Sequence, residues 1–260
     1  MAAAVAVQGA SHAVWHDLSD VRLAEALEDR GSFRRFCGFS RHEPTPERTA
    51  FVRFRRELVA RGLDAVLFKT VTAQLRAKAV AVKTGTLIDA TVIGSASETD
   101  AEAGWSGHRA RKAIHGYKAH VAADADTALV DVVDVTPGNV HDGRAGVAVI
   151  PDSPGEVFAD SACRGSHFAD AVRARGGVVR VAATHYWARE GDAAAAAAFA
   201  ASNKAIQRVR SRIEKIFGTW KRSYGLRRMR WRGIAKAALQ VRLTAIAYNL
   251  RRSLTILQHA

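Results

Sequence analysis

The spacing of apolar residues changes once along this chain, near Lys83, and this change constrains the fold more than any other feature. Before it, the spacing is helical: Ser19 or Asp20 can cap a helix that continues to residue 30, and Thr45-Pro46-Glu47 indicates the start of another. After it, short runs rich in β-branched residues indicate buried strands. We therefore predict a helical N-terminal module over residues 1–80 and an α/β domain over residues 83–252.

The order of the predicted elements narrows the fold class. In sequence they are strands at 87–93, 116–123 and 128–135, a helix from Asn139, a strand at 156–160, a helix at 166–175, and a strand at 178–183. Three strands, a helix, and then alternating strand and helix is the order of a ribonuclease-H-like fold with a mixed sheet. Helices are predicted beyond it at 193–198, 203–221 and 234–250, the last of them apolar nearly all round and therefore buried.

The net charge of +14 lies entirely in the last 60 residues, where 15 Lys and Arg accompany a single acid, Glu214. A basic block at one end indicates a polyanionic partner, because each neutralised phosphate releases counterions and adds affinity. A membrane surface is the competing interpretation. Trp220, Tyr224 and Trp231 lie among the basic residues and can stack on bases, which favours nucleic acid.

The positions of the cysteines and histidines argue against a disulfide-rich protein and against a zinc site. The two cysteines, Cys37 and Cys163, are far apart and form no CxxC pattern, so neither a zinc site nor a disulfide framework is indicated. His12 and His16 have HxxxH spacing but lack the glutamate of HExxH, which disfavours zinc. Because no uncharged apolar run approaches the roughly 18 residues of a membrane span, a soluble, intracellular protein is expected.

Two aspartates occupy positions where a charge is otherwise costly. Asp89 lies in the middle of an apolar strand, and Asp160 ends the next strong strand, at the edge where α/β proteins form their sites. Phosphoryl transfer with two metal ions needs carboxylates that converge from different elements, because hard divalent ions clamp both the attacking and the leaving oxygen. The two residues are therefore candidate metal ligands.

Glu214, the one acid of the basic block, is the third candidate. At about 100° per residue, Gln207, Arg210, Glu214 and Lys221 share one face of the predicted helix. This face combines a carboxylate for a metal with basic groups for phosphates.

Each acid also has a structural alternative. Asp89 can be a turn or edge residue, Asp160 can cap the helix that follows it, and Glu214 can simply pair with Arg210 one turn away. His141 and Asp142, after a Pro-Gly turn, can start a helix or assist a proton transfer, and the helix-start cap is preferred.

Several segments resemble the core blocks of DDE transposases of the insertion-sequence-five type, within the insertion-sequence-four-like superfamily. They are GTLIDAT at 85–91, GYKAH at 116–120, VTPGNVHD at 135–142 and ADS at 159–161. The segment RSRIEKIFG at 210–218, followed by Lys221, resembles the block that carries the third acid. The resemblance extends over about residues 18–252.

The resemblance implies a DDE triad of Asp89, Asp160 and Glu214 that binds two divalent ions, Mg²⁺ with Mn²⁺ able to substitute. It implies a transposase that cleaves double-stranded DNA at insertion-sequence ends and transfers the freed 3′ end to a target, working as a homodimer or larger assembly. The residues expected to contact DNA are Arg210, Lys221, Arg212, Lys118, Tyr117 and Arg222. Gln207 occupies the slot where the family carries a tyrosine.

The N-terminal stretch departs from the family pattern. Relatives carry additional helices before the part that matches residues 18–35, whereas about 17 Ala-rich residues precede it here. We therefore expect the N-terminal module, assigned to DNA binding or dimerisation, to be truncated. Two alternatives to a working transposase stay open: a transposition-defective DNA-binding remnant, and a stand-alone nuclease of the same fold.

Overall fold

The computed structural model describes residues 3–78, 85–108, 111–182 and 193–259. Its helices are α1 (Ala3–Trp15), α2 (Asp20–Asp29), α3 (Gly31–Phe36), α4 (Arg48–Ala60), α5 (Leu63–Lys78), α6 (Asp142–Ala145), α7 (Ser166–Ala174), α8 (Ala193–Ser223) and α9 (Ile234–His259). Its strands are β1 (Gly85–Gly94), β2 (Gly104–His108), β3 (Arg111–Asp124), β4 (Val130–Pro137), β5 (Glu156–Ala159) and β6 (Val178–Val181). Among the residues described, no helix is long and apolar enough to cross a membrane.

The strands form one mixed sheet with β1 near its middle. Strand β1 pairs antiparallel with β3 and parallel with β5, and β6 continues the sheet parallel to β5. The other edge of the long strand β3 pairs first with β2 and then with β4. The predicted mixed sheet is therefore confirmed, and its centre is the strand that carries Asp89.

Most predicted elements are observed, with three differences. Strand β2, whose sequence is GWSGH, was not predicted because two glycines in five residues leave no alternating pattern. The helix predicted from Asn139 is only the four-residue α6 and a 3-10 turn, since Gly143 and Gly146 weaken helix formation there. The helices predicted at 193–198 and 203–221 are one helix of 31 residues, α8. Of the predicted strand 178–183, the last residue lies outside the described residues.

The two faces of the sheet are covered by different helices. Successive strand residues point to opposite faces. Leu87 and Ile93 therefore pack with Ile213 and Ile216 of α8 and with α9, whereas Ile88 packs against α7 and its neighbouring turns. This arrangement confirms the apolar stripe predicted for α8 and the burial predicted for α9. Asp89 lies between the residues that face α8.

The N-terminal helices pack against the C-terminal helix α9. Helices α1, α4 and α5 all contact α9, and the buried carboxylate of Asp64 on α5 pairs with Arg242 on α9. The guanidinium of Arg55 pairs with Asp20 and lies over the ring of Trp231, 4.3 Å from its centroid. The helical module and the α/β domain therefore share one interface, while the predicted boundary between residues 80 and 83 lies outside the described residues.

Three glycines lie side by side where β1, β2 and β3 meet. Gly116 of β3 pairs with Gly94 on one side and with Gly104 on the other. A Cβ atom on Gly116 would lie 2.1 Å from the backbone oxygen of Ile93, which no side chain can tolerate. The first residue of the GYKAH segment is therefore required by close strand packing.

Candidate active site

Asp89 and Asp160 are brought together by the parallel pairing of β1 and β5. The register runs through Ile88 and Ala159, so the next residue on each strand is an aspartate. Strand β5 ends at this point while β1 continues to Gly94, which leaves a notch in the sheet beside β1. Both aspartates line one small cavity at the notch, together with Asp142, His120 and Cys163.

The Asp89 carboxyl lies in a largely buried environment. Its side chain is 22% exposed, and its Oδ1 accepts a hydrogen bond from the Ala90 amide at 2.8 Å. Burial raises the pKa of Asp89 from 3.8 to about 6; the Ala90 amide and Arg210 oppose this shift, whereas Asp160 and Asp142 add to it. Asp89 lies inside β1 and pairs with Val121 of β3, so the alternative of a turn residue is excluded; on its other side β1 is open, because the pairing with β5 ends at Ile88. A buried carboxylate with a raised pKa is typical of a functional site.

Asp160 is more open to solvent than Asp89, and its side chain caps a short turn. Its Oδ1 accepts a hydrogen bond from the Ser161 amide at 2.7 Å and so caps the 3-10 turn Ser161–Cys163. The capping alternative raised by the sequence is therefore observed. This cap leaves the carboxylate accessible, because the Asp160 side chain is 49% exposed.

Arg210 of α8 bridges the two aspartates. Its Nη2 lies 3.5 Å from Asp89 Oδ2, and its Nη1 lies 3.4 Å from Asp160 Oδ1. Gln207, one turn earlier, accepts a hydrogen bond from Nη1 at 3.4 Å. The Arg210 side chain is only 7% exposed. The basic helix thus places a buried positive charge against both carboxylates.

Glu214 lies one turn after Arg210 on α8, and its side chain is exposed. The i, i+4 pair with Arg210 is not formed, because Arg210 contacts the two aspartates instead. Within the described residues, no group of three or more His, Cys, Asp and Glu side chains is close enough to hold a metal ion. The structure therefore brings together two of the three carboxylates named from the sequence.

Asp142 is an acid at the site that the sequence interpretation left as a helix-start residue. It accepts a hydrogen bond from Lys118 Nζ at 2.9 Å, and the same Nζ donates to the Val140 oxygen at 2.9 Å. The preferred helix-start role of His141 is confirmed, since its Nδ1 accepts from the Gly143 amide at 3.2 Å. Asp142 could have been recognised from its place in the VTPGNVHD segment.

The two other titratable residues that line the cavity, His120 and Cys163, are favoured in their uncharged forms. His120 is buried, its Nε2 lies 2.9 Å from Thr136 Oγ1, and burial lowers its pKa. Burial also raises the pKa of the Cys163 thiol to about 12. Neither side chain therefore offers a ready charge at neutral pH.

The remaining residues expected to contact DNA lie in different environments. Tyr117 is fully buried, and its hydroxyl donates to Asp100 Oδ2 at 2.9 Å, so it belongs to the core. Arg212 donates to the Ala125 oxygen. Arg222 is exposed near the end of α8, and Lys221 beside it is half-buried. Basic side chains therefore remain at the surface along α8, whereas Tyr117 lies in the core.

The aromatic residues of the basic block are not free to stack on bases. Trp220 and Tyr224 are buried in the main core, and Trp231 is half-buried beneath Arg55. Among the tryptophans that the structure describes, Trp105 of β2 is the exposed one, at 60%, and its ring lies 5.1 Å from that of His115. The prediction that the aromatic residues among the basic residues stack on bases is therefore wrong for Trp220 and Tyr224, because the sequence did not show that they are buried.

Two protein families match the chain. The family described as "Transposase DDE domain" matches residues 81–250, which is well over half of the chain. The family described as "Transposase domain (DUF772)" matches residues 6–57, in the N-terminal helices. No solved structure matches the chain.

Proposed function

The chain belongs to the DDE transposases, and from that premise we propose that it cleaves DNA at the ends of an insertion element and joins the freed 3′ end to target DNA. The family and the ribonuclease-H-like fold predicted from the sequence are confirmed. Beyond the family, we propose that Asp89 and Asp160 hold the divalent ions that the reaction needs. We also propose that the enzyme acts on DNA in the bacterial cytoplasm.

One observation carries the proposal: Asp89 and Asp160 lie adjacent at the notch beside β1, and both face a buried cation. Carboxylate oxygens are the ligands that Mg²⁺ prefers. Burial of Asp89 penalises its charged form, and a bound cation offsets that penalty. The residues present therefore fit a divalent ion, with Mg²⁺ as the proposed species and Mn²⁺ as a substitute.

Divalent ions bound at such a pair polarise the phosphodiester and lower the pKa of the attacking water or 3′-hydroxyl. Asp89 and Asp160 would hold them, from two adjacent strands of the sheet. Glu214 is included as the third ligand only from its place in the RSRIEKIFG block, and its side chain is exposed on α8. Lys118 is held by the Val140 oxygen and by Asp142, and Asp142 itself lines the cavity.

The proposed DNA surface follows the basic C-terminal region. Arg210, Arg212, Lys221 and Arg222 all lie on α8, and the last 60 residues carry 15 Lys and Arg. Phosphate contacts of this kind supply affinity without base specificity. Because two element ends have to be held together, the working form is proposed to be a dimer or larger assembly.

The test is Mg²⁺-dependent cleavage of a duplex made from the repeats that flank the gene. We expect Asp160→Asn to abolish cleavage and to retain DNA binding, because it removes a proposed metal ligand and no basic residue. Asp152→Asn, at an exposed loop residue, is the matched control and should cleave like the wild type.

The same assay separates the two other functions. Wild-type protein that binds DNA with strong salt dependence but never nicks it would be a DNA-binding remnant. Protein that cuts but never joins ends would be a stand-alone nuclease. Cleavage retained by Asp160→Asn would refute the assigned site.

A further inference from the structure

Arg210 contacts the same carboxylates that are proposed to bind the divalent ion. Its two terminal nitrogens lie 3.5 Å from Asp89 Oδ2 and 3.4 Å from Asp160 Oδ1. A guanidinium and a divalent ion carry charge of the same sign, so they repel each other at one pair of carboxylates. Either the arginine or the metal can therefore hold both aspartates fully, but not the two together.

The contacts of Arg210 are looser than those of a fixed ion pair. Charge-assisted hydrogen bonds between guanidinium and carboxylate are about 2.8 Å long, whereas both distances here exceed that by more than half an ångström. Within the described part of the chain, the buried Nε of Arg210 has no hydrogen-bond partner. A buried donor left unpaired is unfavourable. The Arg210 guanidinium can therefore leave the two carboxylates when another anion offers stronger hydrogen bonds.

The neighbouring cations do not share this arrangement. Lys118 is held by Asp142 and the Val140 oxygen, and Arg212 by the Ala125 oxygen and Asp126. Their partners are not the proposed metal ligands, whereas those of Arg210 are. Arg210 is thus the basic residue whose release would change the metal site.

We propose that Arg210 is a positioning residue that competes with the divalent ion for Asp89 and Asp160 and that a DNA phosphate draws it away. A guanidinium fits a phosphate with two parallel hydrogen bonds, which the present carboxylate contacts do not provide. DNA binding and metal binding then reinforce each other, and by linkage each raises the affinity of the other by the same factor. This inference rests on the proposed function, because it assumes that the site binds both metal and DNA.

The test measures Mn²⁺ affinity directly, from the electron paramagnetic resonance signal of free Mn²⁺, without relying on catalysis. In the absence of DNA, Arg210→Gln should bind Mn²⁺ at least tenfold more tightly than the wild type, because the competing charge is gone. Arg208→Gln removes the same charge from an exposed position on the same helix and should change the affinity less than twofold. Arg210→Lys keeps the charge and should remain close to the wild type.

A short duplex is then added, and the Mn²⁺ bound by the Asp160→Asn variant is subtracted to remove ions bound by DNA itself. DNA should raise the Mn²⁺ affinity of the wild type about tenfold and that of Arg210→Gln less than threefold. Thermal unfolding of each variant verifies that it is folded.

The outcomes distinguish this inference from the proposed function. Equal or weaker Mn²⁺ binding by folded Arg210→Gln, with binding still lost in Asp160→Asn, overturns the inference and leaves the proposed function intact. An equal effect of Arg208→Gln also overturns it, because general charge repulsion would then explain the change. Mn²⁺ binding that never depends on Asp160 overturns the proposed function itself.

Discussion

Asp89 and Asp160 are neighbours across two parallel strands, each one residue beyond the paired residues Ile88 and Ala159. Their proximity is therefore set by the sheet register and not by a flexible loop. A shift of β5 by one residue would turn the Asp160 side chain to the opposite face. The geometry of the site thus depends on the contacts that hold β1 and β5 in register.

Gly116→Ala should destabilise the protein by at least about 2 kcal/mol, because overpacking that displaces backbone is costly. The added Cβ would lie 2.1 Å from the Ile93 oxygen, and β3 would have to move away from β1. Urea unfolding measures the loss. Gly107→Ala, in the same hairpin but with open space around its Cβ position, is the control and should change stability little. Equal effects of the two substitutions would contradict the glycine packing described.

Asp64→Asn should lower the free energy of unfolding by about 3 kcal/mol, since it leaves Arg242 without its partner in a largely buried position. Because this pair joins α5 to α9, the loss should also loosen the N-terminal helices against the core. Chemical denaturation gives the energy, and hydrogen exchange in α5 gives the location. Asp29→Asn, at an exposed residue of α2, serves as the control. A loss below about 0.5 kcal/mol would show that the pair is not stabilising.

Stability should fall as the pH drops below 6.5, in part because of His12. Burial, and to a lesser extent His16, lowers the pKa of His12 to about 4. Between pH 6.5 and 4 the unfolded chain therefore binds a proton that the folded protein does not, and unfolding becomes easier. Above pH 6.5 both states are neutral and the contribution of His12 is constant.

His12→Phe tests this dependence, because a phenyl ring can keep the packing against Phe33 and Phe36. The variant should lose less stability than the wild type between pH 7 and pH 4.5, as measured by thermal unfolding at each pH. His16 and Arg30 remain in both proteins, so the difference reports on His12. His42→Gln, an exposed histidine, should follow the wild-type curve. Superimposable curves for His12→Phe and the wild type would exclude the assigned cause.

Asp142→Asn should lower cleavage or metal affinity about tenfold, because it removes a carboxylate beside the proposed metal ligands and the loss of a residue next to a metal site commonly has an effect of this size. Its carboxylate holds Lys118 at 2.9 Å beside the cavity of Asp89 and Asp160. DNA binding should persist, since the basic surface of α8 is unchanged. Asp170→Asn, at an exposed acid of α7, is the comparison. Full activity of Asp142→Asn would mean that the Lys118 pair is only structural.

Much of the catalytic sheet could be predicted from local patterns. Strand β1 is apolar and rich in β-branched residues, and Asp89 was recognisable because a charge inside such a strand is costly. Strand β2 was missed because its two glycines, Gly104 and Gly107, leave no alternating pattern. Gly104 is required by its surroundings, since a Cβ there would lie 2.4 Å from Asn139 Oδ1, which the sequence does not show. Local composition therefore indicated the apolar strands but not β2.

The partners of α8 could not be predicted from helical spacing alone. Arg210 has Glu214 one turn away, and spacing favours their pairing. The structure instead pairs Arg210 with Asp89 and Asp160, which are 121 and 50 residues away in sequence, because α8 packs across β1 and β5. The packing of α8 on the sheet therefore determines which carboxylates Arg210 contacts.

Metal-specific rescue of DNA cleavage is the most direct measurement of the central claim, that Asp160 binds a divalent ion together with Asp89. Magnesium prefers oxygen ligands, whereas Mn²⁺ accepts a sulfur ligand more readily. Asp160→Cys should therefore lose cleavage in Mg²⁺ and regain it in Mn²⁺, while Asp160→Ser stays inactive in both. Wild-type rates of Asp160→Cys in Mg²⁺, or no difference between the Cys and Ser variants in Mn²⁺, would contradict the claim.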